Sequence, residues 1–164
     1  GYIPADRKNE GLIQENSIKD NSVLTIFKKL TKFTFFNSRQ ASVITNEYIE
    51  KLNIRLNNVN SYVMNLSGGN QQKVVIAKWL AKNCKVLLFD EPTRGIDVAA
   101  KAQIWRLINE FTNSGGSVIV ASNEIPELIF GCNRIITMQK LKIVETFDKE
   151  NFNEEKISLS ISTT

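Results

Sequence analysis

The chain has 164 residues, of which 42% are hydrophobic and 23% are charged, as in an ordinary single domain. Its 21 basic and 17 acidic residues are interspersed, so no basic stripe exists and nucleic-acid binding is not expected. There is no histidine, and Cys84 and Cys132 lie far apart, which excludes imidazole chemistry and zinc sites of the usual spacing. We interpret both cysteines as reduced, buried thiols.

No run approaches the roughly 20 apolar residues that a membrane helix needs, and the charged start does not resemble a secretory signal. We therefore expect a cytoplasmic protein. In chain order, residues 1–4 are predicted to end a strand, and residues 5–16 to form a loop. Apolar residues at helical spacing predict helices over residues 17–36 and about 40–52, which together form a small helical subdomain.

The asparagine-rich residues 53–65 are predicted to be a connecting loop before a helix that begins near Ser67. Residues 85–90 are an apolar run, typical of a strand buried on both faces of a parallel sheet. A helix over about 98–111 and a strand over 117–122 complete a parallel βαβ unit. A short helix at 126–130, strands at 134–138 and 142–147, and a frayed helix or tail from 151 are predicted to follow.

The first stretch that carries chemistry reads Leu-Ser-Gly-Gly-Asn-Gln-Gln-Lys at residues 66–73. Gly68 and Gly69 allow a backbone to approach a ligand closely, and the free N–H groups of a helix start favour a phosphate. Taken alone, however, the pattern favours an ordinary serine N-cap with a glycine-rich entry. The rest of the sequence has to decide between the two interpretations.

The second stretch reads Val-Leu-Leu-Phe-Asp-Glu-Pro-Thr-Arg-Gly-Ile-Asp at residues 86–97. It places Asp90 and Glu91 at the carboxyl end of a strand, where α/β proteins bind ligands. There Asp90 can hold Mg²⁺, directly or through water, and Glu91 can orient the water that attacks a γ-phosphate. Alone, Asp-Glu-Pro favours a solvated turn. The two stretches together, in this order, favour the functional interpretation.

These stretches resemble the signature and Walker B motifs of ATP-binding-cassette ATPases. Pro-Thr-Arg-Gly-Ile-Asp-Val at 92–98 and Gly-Tyr-Ile-Pro-Ala-Asp-Arg-Lys at 1–8 are similar to the second cassette of the tandem ATPase subunits of monosaccharide and nucleoside importers. The resemblance covers nearly the whole chain and weakens in the helical insert and after about residue 139. It implies an α/β fold: a partial P-loop NTPase with parallel core strands and a small helical signature subdomain. The implied parts are the helical subdomain at about 12–83, the α/β core at about 84–148 and a tail at 149–164.

The resemblance implies ATP and Mg²⁺ as cofactors, with ATP held between two cassettes. The site residues that it implies are Ser67, Gly68, Gly69, Asn70 and Gln71 of the signature, Asp90 for Mg²⁺, Glu91 for the attacking water, and Asp97 and Asn123. The signature would meet a γ-phosphate held by a second cassette, in the same or another chain. Asp97 matches the acid that couples the two sites, and it also fits an N-cap. The other implied partners are permease subunits at the inner face of the membrane and, indirectly, a substrate-binding protein.

The sequence departs from the family pattern at three positions. Asn123 replaces a switch histidine, and an amide can donate a hydrogen bond but cannot carry charge, so a weaker catalytic site is predicted. Ala5 stands where many cassettes have a glutamine that senses the transporter. Leu141 replaces a turn glycine, which takes a positive φ more easily.

No Gly-x-x-x-x-Gly-Lys-Ser/Thr loop occurs in the sequence, and the resemblance begins just downstream of that loop's place. We therefore expect a fragment that binds ATP poorly alone. It should also be marginally stable or aggregation-prone, because missing strands would expose the apolar residues 86–89.

Three functions remain open at this point. The leading one is the ATPase of a sugar or nucleoside importer that hydrolyses ATP only when it is completed and paired. The second is a silent remnant or regulatory cassette that pairs without turnover. The third is a chromosome-maintenance or DNA-repair ATPase, which is disfavoured because those proteins flank the signature with coiled coils and this chain has no sustained heptads.

Overall fold

A computed structural model describes residues 1–162, which divide into two compact units, Gly1–Ala121 and a unit that begins at Ser122. The division falls inside residues 84–148, which we predicted to be one α/β part. Within the described residues, no helix combines the length and apolar character that a membrane crossing requires. Cys84 and Cys132 are free, as predicted, but half-buried rather than buried. Residues 163 and 164 of the predicted tail lie outside the described residues.

The first unit begins with strand β1 (Tyr2–Ile3), as expected, and Ile3 is fully buried. The predicted loop after it contains a π-helical turn at Arg7–Gly11. This turn forms because the Asp6 carboxylate accepts hydrogen bonds from the backbone N–H groups of Lys8 and Asn9, at 3.2 and 3.1 Å. A hydrogen bond from the Asn9 side chain lowers the pKa of Asp6, and these backbone bonds lower it further.

The helical subdomain contains α1 (Ile18–Val23), a 3-10 turn (Leu24–Ile26), α2 (Phe27–Leu30), β2 (Thr31–Lys32), β3 (Phe35–Phe36) and α3 (Ser38–Lys51). The prediction of one helix over 17–36 is therefore wrong at its end, where β2 and β3 form an antiparallel hairpin. Phe33 takes a left-handed φ of 55°, which a continuing helix does not allow. The Phe36 ring instead folds back onto Phe27, with ring centroids 4.9 Å apart.

Helix α4 (Gly68–Leu80) follows a 3-10 turn at Val63–Asn65 and is the most buried helix of the first unit. Its predicted inner face is confirmed at Val74 and Ala77, but burial extends around the helix from residue 71 to 78. Even the Lys78 amine is buried, and it donates a hydrogen bond to the Gly11 carbonyl at 2.6 Å. Burial lowers the pKa of Lys78.

The remainder of the unit is β4 (Val86–Asp90), α5 (Val98–Asn113) and β5 (Ser117–Ala121). Strand β4 pairs in parallel with both β1 and β5, so the predicted parallel unit is confirmed. The expectation that β4 is buried on both faces is wrong. Leu87 and Phe89 are buried, whereas Leu88 is 42% exposed and its β5 partner Ile119 is 62% exposed. Leu88 and Ile119 therefore lie on an apolar, partly exposed face of this sheet, and apolar exposure within residues 86–89 had been expected.

The second unit contains α6 (Ile125–Gly131), β6 (Arg134–Gln139), β7 (Lys142–Asp148), a 3-10 turn (Lys149–Asn151) and α7 (Glu154–Ser162). Strands β6 and β7 form an antiparallel hairpin. At its turn, Lys140 and Leu141 have φ values of 49° and 63°, so Leu141 does adopt the conformation expected of a glycine there. Of the frayed helix or tail predicted from residue 151, the helix is confirmed as α7, but it is not frayed throughout, because Ile157 packs into a cluster with Ile135 and Phe147.

Candidate functional site

Asp90 and Glu91 lie at the carboxyl end of β4, where the sequence predicted them. The half-buried Asp90 carboxylate accepts a hydrogen bond from the Tyr2 hydroxyl at 3.1 Å, and this bond raises the pKa of Tyr2. Sequence reasoning missed Tyr2. The parallel pairing of β1 with β4 explains the contact. Tyr2 is in register with Leu88, and Leu88 and Asp90 are two residues apart on β4, so they share a face of the sheet.

The backbone of Glu91 is held in an uncommon conformation. Its φ is 45°, its N–H donates to the Ala121 carbonyl at 2.8 Å, and its carbonyl accepts from the Arg94 N–H at 3.1 Å. A positive φ is infrequent in a residue other than glycine, and such residues cluster at functional sites. These hydrogen bonds fix the position of the Glu91 backbone at the edge of the sheet.

The start of α4 is closely packed. A side-chain carbon on Gly68 would lie 2.6 Å from Nη2 of Arg7, and one on buried Gly69 would lie 2.8 Å from Cβ of Ala100. We had expected these glycines to admit a ligand. In the structure, protein groups already make both close approaches: the Arg7 side chain lies beside Gly68, and the start of α5 lies beside Gly69. The glycines are therefore needed for packing whether or not a ligand binds.

Arg7 joins the π-helical turn to the loop that follows Glu91. Its guanidinium donates to the carbonyl of Arg94 at 2.9 Å and to that of Gly95 at 3.2 Å. Burial lowers the pKa of Arg7. Sequence reasoning assigned no role to Arg7, whose only signal was its place in the stretch 1–8. The contact fixes the loop that leads to Asp97.

A cavity of about 190 Å³ lies between the N-termini of α4 and α5. Its lining is mainly polar and consists of Asn53, Arg55, Ser67, Gly69, Asn70, Lys73, Asp97, Ala99, Ala100 and Gln103. Asp97 caps α5, as the alternative interpretation predicted, by accepting from the Ala100 N–H at 2.9 Å. Burial and the neighbouring Arg55 lower the pKa of Lys73. Two helix N-termini and two cations favour an anion here, and the Asp97 carboxylate in the same lining partly opposes one.

The structure therefore brings Ser67, Gly69, Asn70 and Asp97 to one cavity. Asp90 and Glu91 do not line this cavity, and neither does Gln71. The Gln71 side chain is buried and donates to the Val63 carbonyl at 3.2 Å, so it points into the protein.

Asn123 was predicted to be a site residue, whereas Arg55 and Lys73 were not. Asn123 belongs to the second unit, and its role at a nucleotide stays a prediction. Arg55 and Lys73 were missed as lining residues, although Lys73 stands in the quoted signature stretch.

Comparison with known proteins identifies the family. The ABC transporter family model matches residues 1–94. The chain is 44% identical over 157 residues to ribose import ATP-binding protein RbsA 2 of Mesorhizobium japonicum, covering 96% of this chain and 31% of that protein. It is 44% identical over 160 residues to the RbsA of Caldanaerobacter subterraneus, covering 96% and 32%. The xylose import ATP-binding protein XylG of Thermoanaerobacter pseudethanolicus is 42% identical, covering 95% and 31%. The chain spans about a third of the length of these relatives.

Solved structures confirm the predicted fold class. A putative metal-chelate type ABC transporter in an inward-facing conformation matches with a TM-score of 0.81 at 19% identity, covering 98% of this chain and 63% of that chain. A dimeric bacterial ABC transporter cassette matches with a TM-score of 0.74 at 25% identity, covering 93% and 63%. The fold is that of a P-loop NTPase cassette with a parallel core sheet. The chain therefore belongs to the ABC transporter family, and it carries the signature helix of the ATP-binding cassette and a strand that is followed by acidic residues.

Proposed function

We propose that the chain is the signature-bearing part of an ATPase that powers import of a sugar or nucleoside. It hydrolyses ATP when it is completed and paired with a second cassette. One observation carries this proposal: Ser67, Gly69 and Asp97 meet at one open cavity between two helix N-termini. The similarity to ribose and xylose import ATP-binding proteins, over nearly the whole chain, supports the substrate class.

The residues present fit ATP and Mg²⁺ as one half of a shared site. A carboxylate such as Asp90 is a suitable oxygen ligand for Mg²⁺. The N–H groups at the start of α4, the Ser67 hydroxyl and the nearby Lys73 suit a phosphate. Since no Gly-x-x-x-x-Gly-Lys-Ser/Thr loop is in the sequence, that loop has to come from another part of the assembly.

In the reaction, bound ATP supplies the phosphoryl group and Mg²⁺ offsets the charge on its oxygens. The Asp90 carboxylate would hold the metal ion. The Glu91 carboxylate accepts a hydrogen bond from the attacking water and orients it, as a general base at the sheet edge. Ser67 and the first N–H groups of α4 donate to the terminal phosphate held by the opposite cassette.

The proposed partners are a second cassette and the permease subunits of an importer, and a substrate-binding protein acts indirectly. The dimeric arrangement of a similar solved cassette supports pairing. Attachment to permease subunits would place the chain at the cytoplasmic face of the membrane.

The test uses a completed protein, in which this chain is fused behind the part of the Caldanaerobacter relative that precedes the matched region. In the cassette supplied by that part, the acid at the strand end is first replaced by glutamine, so that turnover reports on Glu91. Glu91→Gln should then lower kcat by about 100-fold or more with little change in KM. The exposed Glu110 on α5 offers the matched control Glu110→Gln, which should leave both constants unchanged.

Equal kcat values with and without Glu91→Gln would contradict the catalytic role. The alternative of a silent cassette is favoured by Asn123, whose amide cannot carry charge. It predicts that the unsubstituted completed protein binds ATP at this site without hydrolysing it.

A further inference from the structure

The Asn70 side chain connects the loop after α3 to the start of α4. Its Oδ1 accepts a hydrogen bond from the Arg55 backbone N–H at 3.0 Å, and its Nδ2 donates to Ser67 Oγ at 3.0 Å. A backbone N–H can only donate, so the oxygen of the amide must face Arg55. The NH₂ group must then face Ser67.

This orientation determines how the Ser67 hydroxyl is used. Ser67 Oγ accepts from Asn70 Nδ2 and, at 3.5 Å, from the Asn70 backbone N–H. A hydroxyl has two acceptor positions and one hydrogen. Because both acceptor positions are turned towards Asn70, the hydrogen has to point elsewhere. Ser67 lines the cavity between the two helix N-termini, so its hydroxyl hydrogen is available to donate a hydrogen bond to an anion in that cavity.

We propose that Asn70 is a positioning residue, which acts through Ser67 by keeping its hydroxyl a donor towards the terminal phosphate of ATP. This inference rests on the proposed function and narrows the sequence-based prediction that Asn70 itself contacts the nucleotide. Its distinctive consequence is that substitution of Asn70 weakens binding of ATP but not of ADP, which lacks that phosphate.

Asn70→Asp separates this role from simple anchoring of the loop. The carboxylate keeps an acceptor for the Arg55 N–H, and an acid in the first turn of a helix is favourable for folding. It cannot donate to Ser67, however, and would accept the Ser67 hydrogen itself. Folding should therefore be preserved while the donor towards the phosphate is lost.

Equilibrium binding of ATP and ADP to the completed protein, without Mg²⁺ so that no hydrolysis occurs, tests the proposal. Asn70→Asp should weaken ATP binding by about 10- to 100-fold, the range for one hydrogen bond to a charged group. ADP binding and the urea midpoint should not change. In a Ser67→Ala background, the loss caused by Asn70→Asp should shrink to what the added charge alone causes, which Gln103→Glu measures.

Gln103→Glu is the matched control, because it makes the same amide-to-carboxylate change in the same cavity. Its effect on ATP binding should be smaller than that of Asn70→Asp. If Asn70→Asp lowers the urea midpoint, Asn70→Ala replaces it, and its loss of ATP affinity should vanish in the Ser67→Ala background.

Unchanged ATP binding in Asn70→Asp, or a loss that is equally large in the Ser67→Ala background, would overturn the positioning role. So would an equal loss in Gln103→Glu, since that result would assign the effect to charge. If Ser67→Ala itself leaves ATP binding unchanged, the proposed function fails at the signature, which is a different result.

Discussion

The close packing of Gly69 against Ala100 makes Gly69→Ala an informative substitution. The added methyl carbon would lie 2.8 Å from Cβ of Ala100, whereas ordinary contact begins at 3.4 Å. Helices α4 and α5 would have to separate by about 0.6 Å at their N-termini to restore an ordinary contact. Overpacking of this kind costs about 1–3 kcal/mol, and the higher helix propensity of alanine offsets at most about 1 kcal/mol of it. We expect a net destabilisation of about 1–2 kcal/mol.

Ala100→Gly supplies the compensating change, because it removes the methyl group that the new one meets. The double variant should recover the overpacking energy, so the two substitutions should be coupled by about 1–3 kcal/mol. Urea unfolding followed by tryptophan fluorescence is a direct assay, since Trp79 lies on α4 and Trp105 on α5. A concentration of about 1 µM limits association through exposed apolar surface.

Two results would refute this reasoning. Gly69→Ala could prove as stable as the unsubstituted chain, or its effect could be additive with that of Ala100→Gly. Either result would mean that the two helix starts are not in the contact described here.

Three further predictions concern other parts of the first unit. Asp90→Asn should lower the pKa of Tyr2 towards 10.0, as read from phenolate absorbance with Tyr2→Phe as reference, and an unchanged titration would exclude the hydrogen bond. That bond should stabilise the fold below pH 10.0 and be lost as the pH rises through the raised pKa. Ile119→Lys should reduce concentration-dependent association in sedimentation, and equal association would assign it to another surface. The free energy of unfolding of the unsubstituted chain, compared with that of Lys78→Met, should increase as the pH rises towards 10.5. In this pH range Lys78 binds a proton more readily in the unfolded state than in the folded state. A pH-independent difference would contradict the lowered pKa.

The features that sequence reasoning predicted well are local in the chain. Ser67 and Asp97 were recognised as N-caps because the capping residue and the N–H that it satisfies are three residues apart. Strand β4 was found from its apolar run and the two acids after it. The hairpin of β2 and β3 was missed. It depends on the left-handed backbone of Phe33, which the spacing of apolar residues does not reveal.

The contacts that sequence reasoning missed join segments far apart in the chain. Tyr2 and Asp90 are 88 residues apart, and Arg7 and Arg94 are 87 apart. No local pattern relates such pairs, since they meet only after β1 pairs with β4. Exposed apolar surface within residues 86–89 was predicted, but the sequence did not show that Leu88 would be exposed while Leu87 and Phe89 are buried, because an apolar run does not specify which of its two faces is covered.

The position of Ser67, which we propose faces a phosphate, is set by residues that need not touch a ligand. Ser67 depends on the start of α4, and that start is held by the contact of Gly69 with Ala100 and by Arg7 beside Gly68. Arg7 also holds the carbonyl of Gly95, in the loop that leads to the cap of α5. A displacement at either glycine would therefore move the signature relative to that loop. The two glycines act on the cavity through packing, so their substitution should alter its shape without removing any of its polar groups.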